Sequence, residues 1–372
     1  MKDPNLLRPK ELLYMILVTV PPLLMLFIPN YANIYLGIDA WWIFAIIFVI
    51  DVIFAWVITR ITHLCPGQNV VGMCKYAFGN FVGTAFAVLF ALLFTFKSFM
   101  YFRQTLEYVY MSTYNLEPTY YYVIPMILLV IIAQLFDSRT IFRLSNIVFG
   151  FMIATYIVLM ISALRNFDSK NLMPVLVDGV GPVFNALPHF FTWTGNVVVL
   201  LMYFHNTDTK DSLTKQVVLG SVLAYGIIVV LNVLFIGVFG NISGFFTTSV
   251  FELSIFFNGS TYFNNFDSII KLAWIFSTFI RDSIFICASA EAISQILNVK
   301  STKLIRITLP LVIAILSVFI MKNEEKFFNV AMGVSSVLCA VVQYGAVLIL
   351  WITLAVKKKS VAGSASTSLQ GD

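Results

Sequence analysis

The stretch FFTWTGN, residues 190–196, lies inside the apolar run VFNALPHFFTWTGNVVVLLMYF, residues 183–204. That run has the length of a membrane-crossing helix, about 20 residues. Pro188, Thr192, Thr194, Gly195 and Asn196 nevertheless interrupt it near the middle. Peptide groups freed at membrane depth are tolerated only where protein buries them or a cavity receives them. The stretch therefore predicts a helix broken around a site.

A second interruption stands in VTVPPLLML, residues 18–26. Pro21 and Pro22 lack the N–H that a helix needs, so carbonyls one turn earlier lose their donors. A break at Pro21–Pro22 is the expectation. Each break would present a half-helix N-terminus to the midplane, worth about half a positive charge. Such ends suit an anion, and a carboxylate is the natural guest. The expected ligand-binding residues are thus Thr19, Val20, Pro21, Pro22 and Leu23 in the first run. In the second they are Phe191, Thr192, Trp193, Thr194, Gly195 and Asn196.

The rest of the chain fits a membrane protein. Of 372 residues, 60% are hydrophobic and only 11% charged, against about 25% charged in soluble domains. Ten apolar runs are predicted to span, near 11–30, 41–59, 81–103, 119–136, 142–164, 183–204, 216–239, 269–297, 304–321 and 330–356. Lys and Arg mark the cytoplasmic loops of such proteins. With the N-terminus inside, fifteen of them fall in inner segments and five in outer ones, so both termini are expected to be cytoplasmic. The net charge of +5 then reflects topology and calls for no nucleic-acid partner. Trp41–Trp42 and Tyr120–Tyr122 would lie at outer interfaces. Residues 60–80 are expected to hold a short helix along the inner face, and 240–268 a folded outer cap with a helix near 248–256.

Ten spans divide into two halves of five, about 11–164 and 183–356. An odd number makes the halves enter from opposite sides, as inverted-topology repeats do. The two interrupted runs open the two halves. Residues 1–359 read as one all-α transmembrane domain with a 5+5 inverted repeat and broken first and sixth helices. Residues 360–372 read as a disordered cytoplasmic tail.

Charges within spans are costly, roughly 2.5–3.5 kcal/mol at a helix centre. Asp51 sits near the centre of the second span, and Arg281 and Asp282 near that of the eighth. Arg281 is a candidate for a ligand carboxylate, a fixed cation, or an internal pair with Asp51. Adjacent residues point about 100° apart on a helix, so Arg281 and Asp282 are not expected to face each other. Lys97, in FTFKSFMYF (94–102), is a further candidate ligand residue. Its place near the outer end of its span favours snorkelling to the headgroups. His189 is expected to pack. No P-loop, HExxH or GxSxG pattern occurs, and Cys65, Cys74, Cys287 and Cys339 show no metal spacing. Neither enzyme chemistry, metal nor cofactor is expected.

Several pieces, in order, carry a family resemblance: GIDAW (37–41), AFGNFVGTAFAVLFALLF (77–94), NLMPV (171–175), ALPHFFTWTG (186–195), GVFG (237–240) and ASAEAISQIL (288–297). Spread over nearly the whole length, they resemble the spore germination permeases, the B-type (GerAB-type) membrane subunits of nutrient germinant receptors. These are similar to transporters of the amino acid–polyamine–organocation superfamily. The resemblance implies a LeuT-like bundle in the inner membrane of a bacterial spore. It implies A-type and C-type receptor subunits as partners and a small nutrient, most often an amino acid, as ligand. Relatives often carry an acidic residue two positions after the glycine of the sixth span, where this chain has Val197. The expected role is therefore a germinant-receptor subunit. The alternatives are an amino-acid secondary transporter and an ion or water channel subunit.

Overall fold

Pro21 and Pro22 cannot donate to the carbonyls of Leu17 and Val18, the acceptors one turn back in a regular helix. In the structure, a computed structural model, those two carbonyls find other donors. Tyr156 Oη donates to Leu17 O at 3.1 Å, and Ser277 Oγ donates to Val18 O at 2.5 Å. Helix α1 (Pro9–Met25) therefore runs straight through the proline pair. The break comes later, at Leu26, where the backbone leaves helical geometry (φ −85°, ψ −83°). The chain resumes as α2 (Ile28–Leu36), with Pro29 in its first turn, where a missing N–H costs nothing. The expected break at Pro21–Pro22 is corrected on this point. Side-chain hydroxyls replaced the lost donors, and no half-helix begins after the prolines.

The structure describes residues 6–112, 120–207, 212–257, 266–299, 301–319 and 324–368. Among them all regular elements are helical, apart from an isolated parallel bridge between Leu7 and Thr207. The first half continues with α3 (Trp41–Leu64), α4 (Val70–Phe78), α5 (Asn80–Ser112), α6 (Tyr120–Leu135) and α7 (Ser138–Leu164). Helix α4 is the short helix expected in 60–80. Asn69 caps it, its side chain accepting from Gly72 N at 3.0 Å. Helix α5 outruns its predicted interval and carries Arg103 and Glu107 as a buried pair one turn apart.

The second half opens with α8 (Gly181–Ala186) and a 3-10 segment (Leu187–Trp193). After Gly195 come a 3-10 turn (Asn196–Val199) and α9 (Leu200–Tyr203). Then follow α10 (Leu213–Phe239), α11 (Phe266–Ile296), α12 (Lys303–Phe319), α13 (Glu324–Met332), α14 (Val334–Ala340) and α15 (Val347–Ser368). Between α10 and α11 lie two 3-10 segments, Gly240–Phe245 and Ser249–Phe257. The rest of the expected outer cap falls outside the described residues. Helix α15 continues into the stretch predicted to be a tail.

Helices occupy all ten predicted intervals. Six stretches among the described residues are long and apolar enough to cross a membrane by length and composition. Three of the others fall short in length: α1, cut off by the break, has 17 residues, and α6 and α12 have 16 and 17. A third interruption was not expected. It separates α13 from α14 at Gly333, where an added Cβ would lie 2.6 Å from Asn329 O. A π turn (Val341–Ala346) follows between α14 and α15.

Helix α1 is buried from Leu12 to Met25 except at Tyr14. Residues 196–204 are buried throughout. A helix apolar on all sides belongs in a core. These two segments form the bundle's centre. Outward lie side chains such as Ile53, Leu128, Ile147 and Ile315, each at least half exposed, as a bilayer-facing surface requires. At one end, Leu7 N donates to Asn206 O at 2.8 Å, tying the chain ahead of α1 to the end of the sixth span. At the other, Asn30 Nδ2 donates to Phe246 O at 2.8 Å.

The hydroxyl repair of α1 is testable. Ser277→Ala is expected to lower unfolding stability by about 0.5–2 kcal/mol. In a Pro22→Ala background, where an N–H again reaches Val18 O, the same change costs much less. Equal costs in both backgrounds, by thermal unfolding in detergent, would exclude the repair.

Candidate functional site

Gly195 has φ +64°, a left-handed geometry that side-chain-bearing residues adopt with strain. Space excludes a side chain as well, since a Cβ there would lie 2.7 Å from Gln343 Cδ. With the helix interrupted, the peptide joining Thr194 to Gly195 offers both its polar groups to other partners. Lys97 Nζ donates to Thr194 O at 2.5 Å. Gly195 N donates to Asp51 Oδ1 and Oδ2 at 3.1 and 3.0 Å. One peptide unit is thus held at its oxygen by an ammonium from α5 and at its N–H by a carboxylate from α3. Hydrogen bonds to ionised groups are roughly twice as strong as neutral ones, and both charges are fully buried.

A second ring of contacts fixes this clamp. Tyr344 Oη donates to Asp51 Oδ1 at 2.6 Å and lies 2.9 Å from Thr194 Oγ1. Gln343 Nε2 donates to Phe191 O at 2.9 Å. Both residues belong to the π turn of the tenth span, a device frequent at functional sites. The turn's extra residue sets these adjacent side chains against the same break. Asn196 Oδ1 accepts from Tyr101 Oη and, at 3.4 Å, from Lys97 Nζ. Asn196 Nδ2 donates back to Trp193 O at 2.8 Å.

Two expectations are overturned here, and one open alternative is decided. Lys97 does not snorkel; it turns inward and is completely buried, because the freed carbonyl of Thr194 offers an acceptor there. Arg281 does not pair with Asp51, which the Gly195 N–H and Tyr344 occupy. Instead Arg281 Nε and Nη2 both reach Asp282 Oδ1 at 3.1 Å. Adjacency on the helix did not prevent this, since the long arginine side chain folds back toward its neighbour. Thr105 Oγ1 joins them, donating to Asp282 Oδ2 at 2.9 Å and accepting from Arg281 Nη2 at 2.9 Å. The guanidinium also lies over the Tyr101 ring, 4.9 Å from its centroid.

The other predicted residues divide in two. Thr19, Val20, Asn196 and Arg281 line one small cavity with Met15, Ile16, Val197, Val199 and Phe285. Its volume is about 10 Å³, room for a single water. Thr19 Oγ1 donates to Met15 O at 2.8 Å within its own helix. Phe191, Thr192 and Trp193 face the tenth span. Thr192 Oγ1 donates to Ala331 O at 2.6 Å, Phe191 meets the Tyr344 ring edge-on, and Trp193 packs on Phe327 and Phe328. Pro21, Pro22 and Leu23 sit in continuous helix away from that break, and Leu23 O accepts from Gln104 Nε2 at 3.2 Å. His189 packs as expected, stacked on Tyr35 with Nδ1 2.7 Å from Met332 O. The sequence reading missed Tyr101, Gln343 and Tyr344. The one available signal was their polar groups inside apolar spans.

A helical bundle with central broken segments and charges fixed at membrane depth is the architecture of LeuT-type transporters. The solved structures agree at the level of fold. The chain resembles Mhp1, a nucleobase-cation-symport-1 family transporter in a closed conformation with bromovinylhydantoin bound. The TM-score is 0.60 at 12% identity, covering 92% of this chain and 80% of that one. It also resembles the manganese transporter of Eremococcus coleocola in complex with an aromatic bis-isothiourea substituted compound. There the TM-score is 0.54 at 12% identity, covering 95% of this chain and 85% of that one. The family follows from sequence. The spore germination protein (spore permease) family model matches residues 6–327, and the chain belongs to that family. Spore germination protein YndE of Bacillus subtilis (strain 168) is 25% identical over 319 residues, covering 84% of this chain and 85% of its own.

The clamp makes a sharp prediction. Lys97→Met and Asp51→Asn are each expected to destabilise strongly, by about 3–5 kcal/mol, because each leaves an opposite charge buried. The double variant is expected to cost clearly less than the sum. Additivity within about 0.5 kcal/mol in thermal unfolding would show that the two charges do not share one support. Separately, Gly195→Ala is expected to lower stability even when Gln343→Ala removes the clash, because the left-handed backbone remains.

Proposed function

We propose that this chain is the B-type subunit of a spore nutrient germinant receptor. A small nutrient, an amino acid foremost, binds between the first and sixth helices beside the Thr194–Gly195 break. The observation that carries this reading is the meeting of Thr19, Val20, Asn196 and Arg281 around one cavity at the bundle's centre. Membership of the germination family supports the receptor context. Ten spans with both termini on the cytoplasmic side, in the spore's inner membrane, complete the proposal, with A-type and C-type subunits as partners. Pro21, Pro22 and Leu23 continue the helix beyond the cavity, Phe191, Thr192 and Trp193 brace the break from the other side, and Lys97 and Asp51 hold the break open.

The cavity has room for one water, and the smallest amino acid is several times larger. Binding must therefore separate α1 from the sixth span, and a ligand shifts the bundle toward that wider arrangement by its differential affinity. Passing this shift to the partner subunits is the sensing step. It needs no release of ligand on the other side. Transport is the second reading, favoured by the fold shared with transporters.

Binding is expected to appear as a rise in melting temperature of the purified protein with one or a few members of an amino-acid panel. Val197→Phe, which fills the cavity, is expected to abolish that rise while the protein stays folded by size-exclusion profile. No rise with any amino acid, in folded protein, would refute nutrient binding by this subunit alone. Saturable uptake of the same ligand into proteoliposomes would decide for the transporter.

A further inference from the structure

We propose that Arg281 is the receptor for the ligand's carboxylate, and that the site takes a zwitterion, with the α-ammonium near Thr19. This rests on the reading of the central cavity as the nutrient site and names the chemistry recognised there. The helix N-terminus after Gly195 was the obvious anion position, but the chain's own Asp51 fills it, with both oxygens on Gly195 N. Lys97 is likewise committed to Thr194 O and Asn196 Oδ1. A ligand carboxylate must find its donor elsewhere.

Arg281 is that donor on three grounds. It lines the cavity between α1 and the sixth span. Its side chain is 2% exposed, so it exchanges no hydrogen bonds with bulk water. Its Nη1 has no hydrogen-bond partner among the described residues, although Nε and Nη2 are fully used. A buried polar group without a partner is costly. A guanidinium is built to hold one carboxylate on one edge and a second on another. Asp282 and Thr105 lock the near edge and leave Nη1 for a guest.

The charge balance selects the class. Around the cavity and clamp, Lys97 and Arg281 are offset by Asp51 and Asp282, so the formal charges cancel. A bare carboxylate would leave a net negative charge in a dry site, and a bare amine a net positive one. A zwitterion adds none. Its carboxylate meets Arg281, and its ammonium turns toward Thr19 Oγ1, whose own hydrogen goes to Met15 O, beyond the apolar walls of Val20, Val197 and Phe285.

The test uses the purified full chain in nanodiscs. The probes are alanine, valine, leucine and asparagine as free acids, their carboxamides, and propionate, read by thermal shift and by calorimetry. The expected result is a shift with at least one free acid and binding weakened by about tenfold or more in its carboxamide and in propionate. Arg281→Gln alone strands Asp282, so the decisive variant is Arg281→Gln with Asp282→Asn, which keeps the cluster neutral. It is expected to fold and lose the acid's shift, and Arg281→Lys to retain part of it. Equal binding of acid and carboxamide, or an unaltered shift in the neutral double variant, would overturn the carboxylate role and leave nutrient binding standing. Equal binding of propionate would overturn the zwitterion. Silence from every probe would overturn this assignment and the nutrient reading together.

Discussion

A single peptide group, Thr194–Gly195, organises this molecule. Apolar surroundings cannot solvate an ammonium, a carboxylate or a free peptide, and each alone would be prohibitive at this depth. Placed together they satisfy one another. Lys97 takes the carbonyl and Asp51 the N–H. Three spans, the second, third and sixth, are thereby pinned at one point. The tenth joins through Tyr344 and Gln343. The geometry of the break is therefore set by side chains of the protein itself.

The first helix shows the opposite solution to the same problem. Its proline pair frees two carbonyls, and neutral hydroxyls from α7 and α11 restore them one for one. Charges hold a break open, whereas hydroxyls close a potential one. The difference matters for motion. The patched helix is continuous through its prolines, and its interruption falls instead at Leu26 and Phe27. In the proposed function, opening the cavity would mean shifting that helix against the charge-bound centre.

Much of this was legible in the sequence. Run lengths gave the order of the helices, and Gly195 among Thr and Asn in an apolar run marked the sixth-span break correctly. Local chemistry was misleading where distant residues intervened. Pro21–Pro22 read as a break because nothing nearby in sequence announces Ser277 as the donor. Lys97 read as a snorkelling residue because its acceptor lies 97 positions away. Gln343 and Tyr344 stood out only as polar groups in an apolar span, with nothing to say what they face, which depends on how the π turn packs on the sixth span. Burial, spacing and composition reveal which groups need partners. Pairing across a hundred or more residues is a property of the assembled bundle.

The bridge between Leu7 and Thr207 gives the protein a mechanical character. Leu7, two residues ahead of α1, is paired with the far end of the sixth span, while Arg8 beside it caps the first helix through Glu11. From Thr207 back to Asn196 the chain is short and, over residues 196–204, buried throughout, and at its head stands Gly195. Leu7 and Arg8 thus sit at a junction that joins the start of the first helix to the segment ending in the clamped peptide. The two central helices therefore share one seam at this end of the bundle, and neither can slide along the other without parting it.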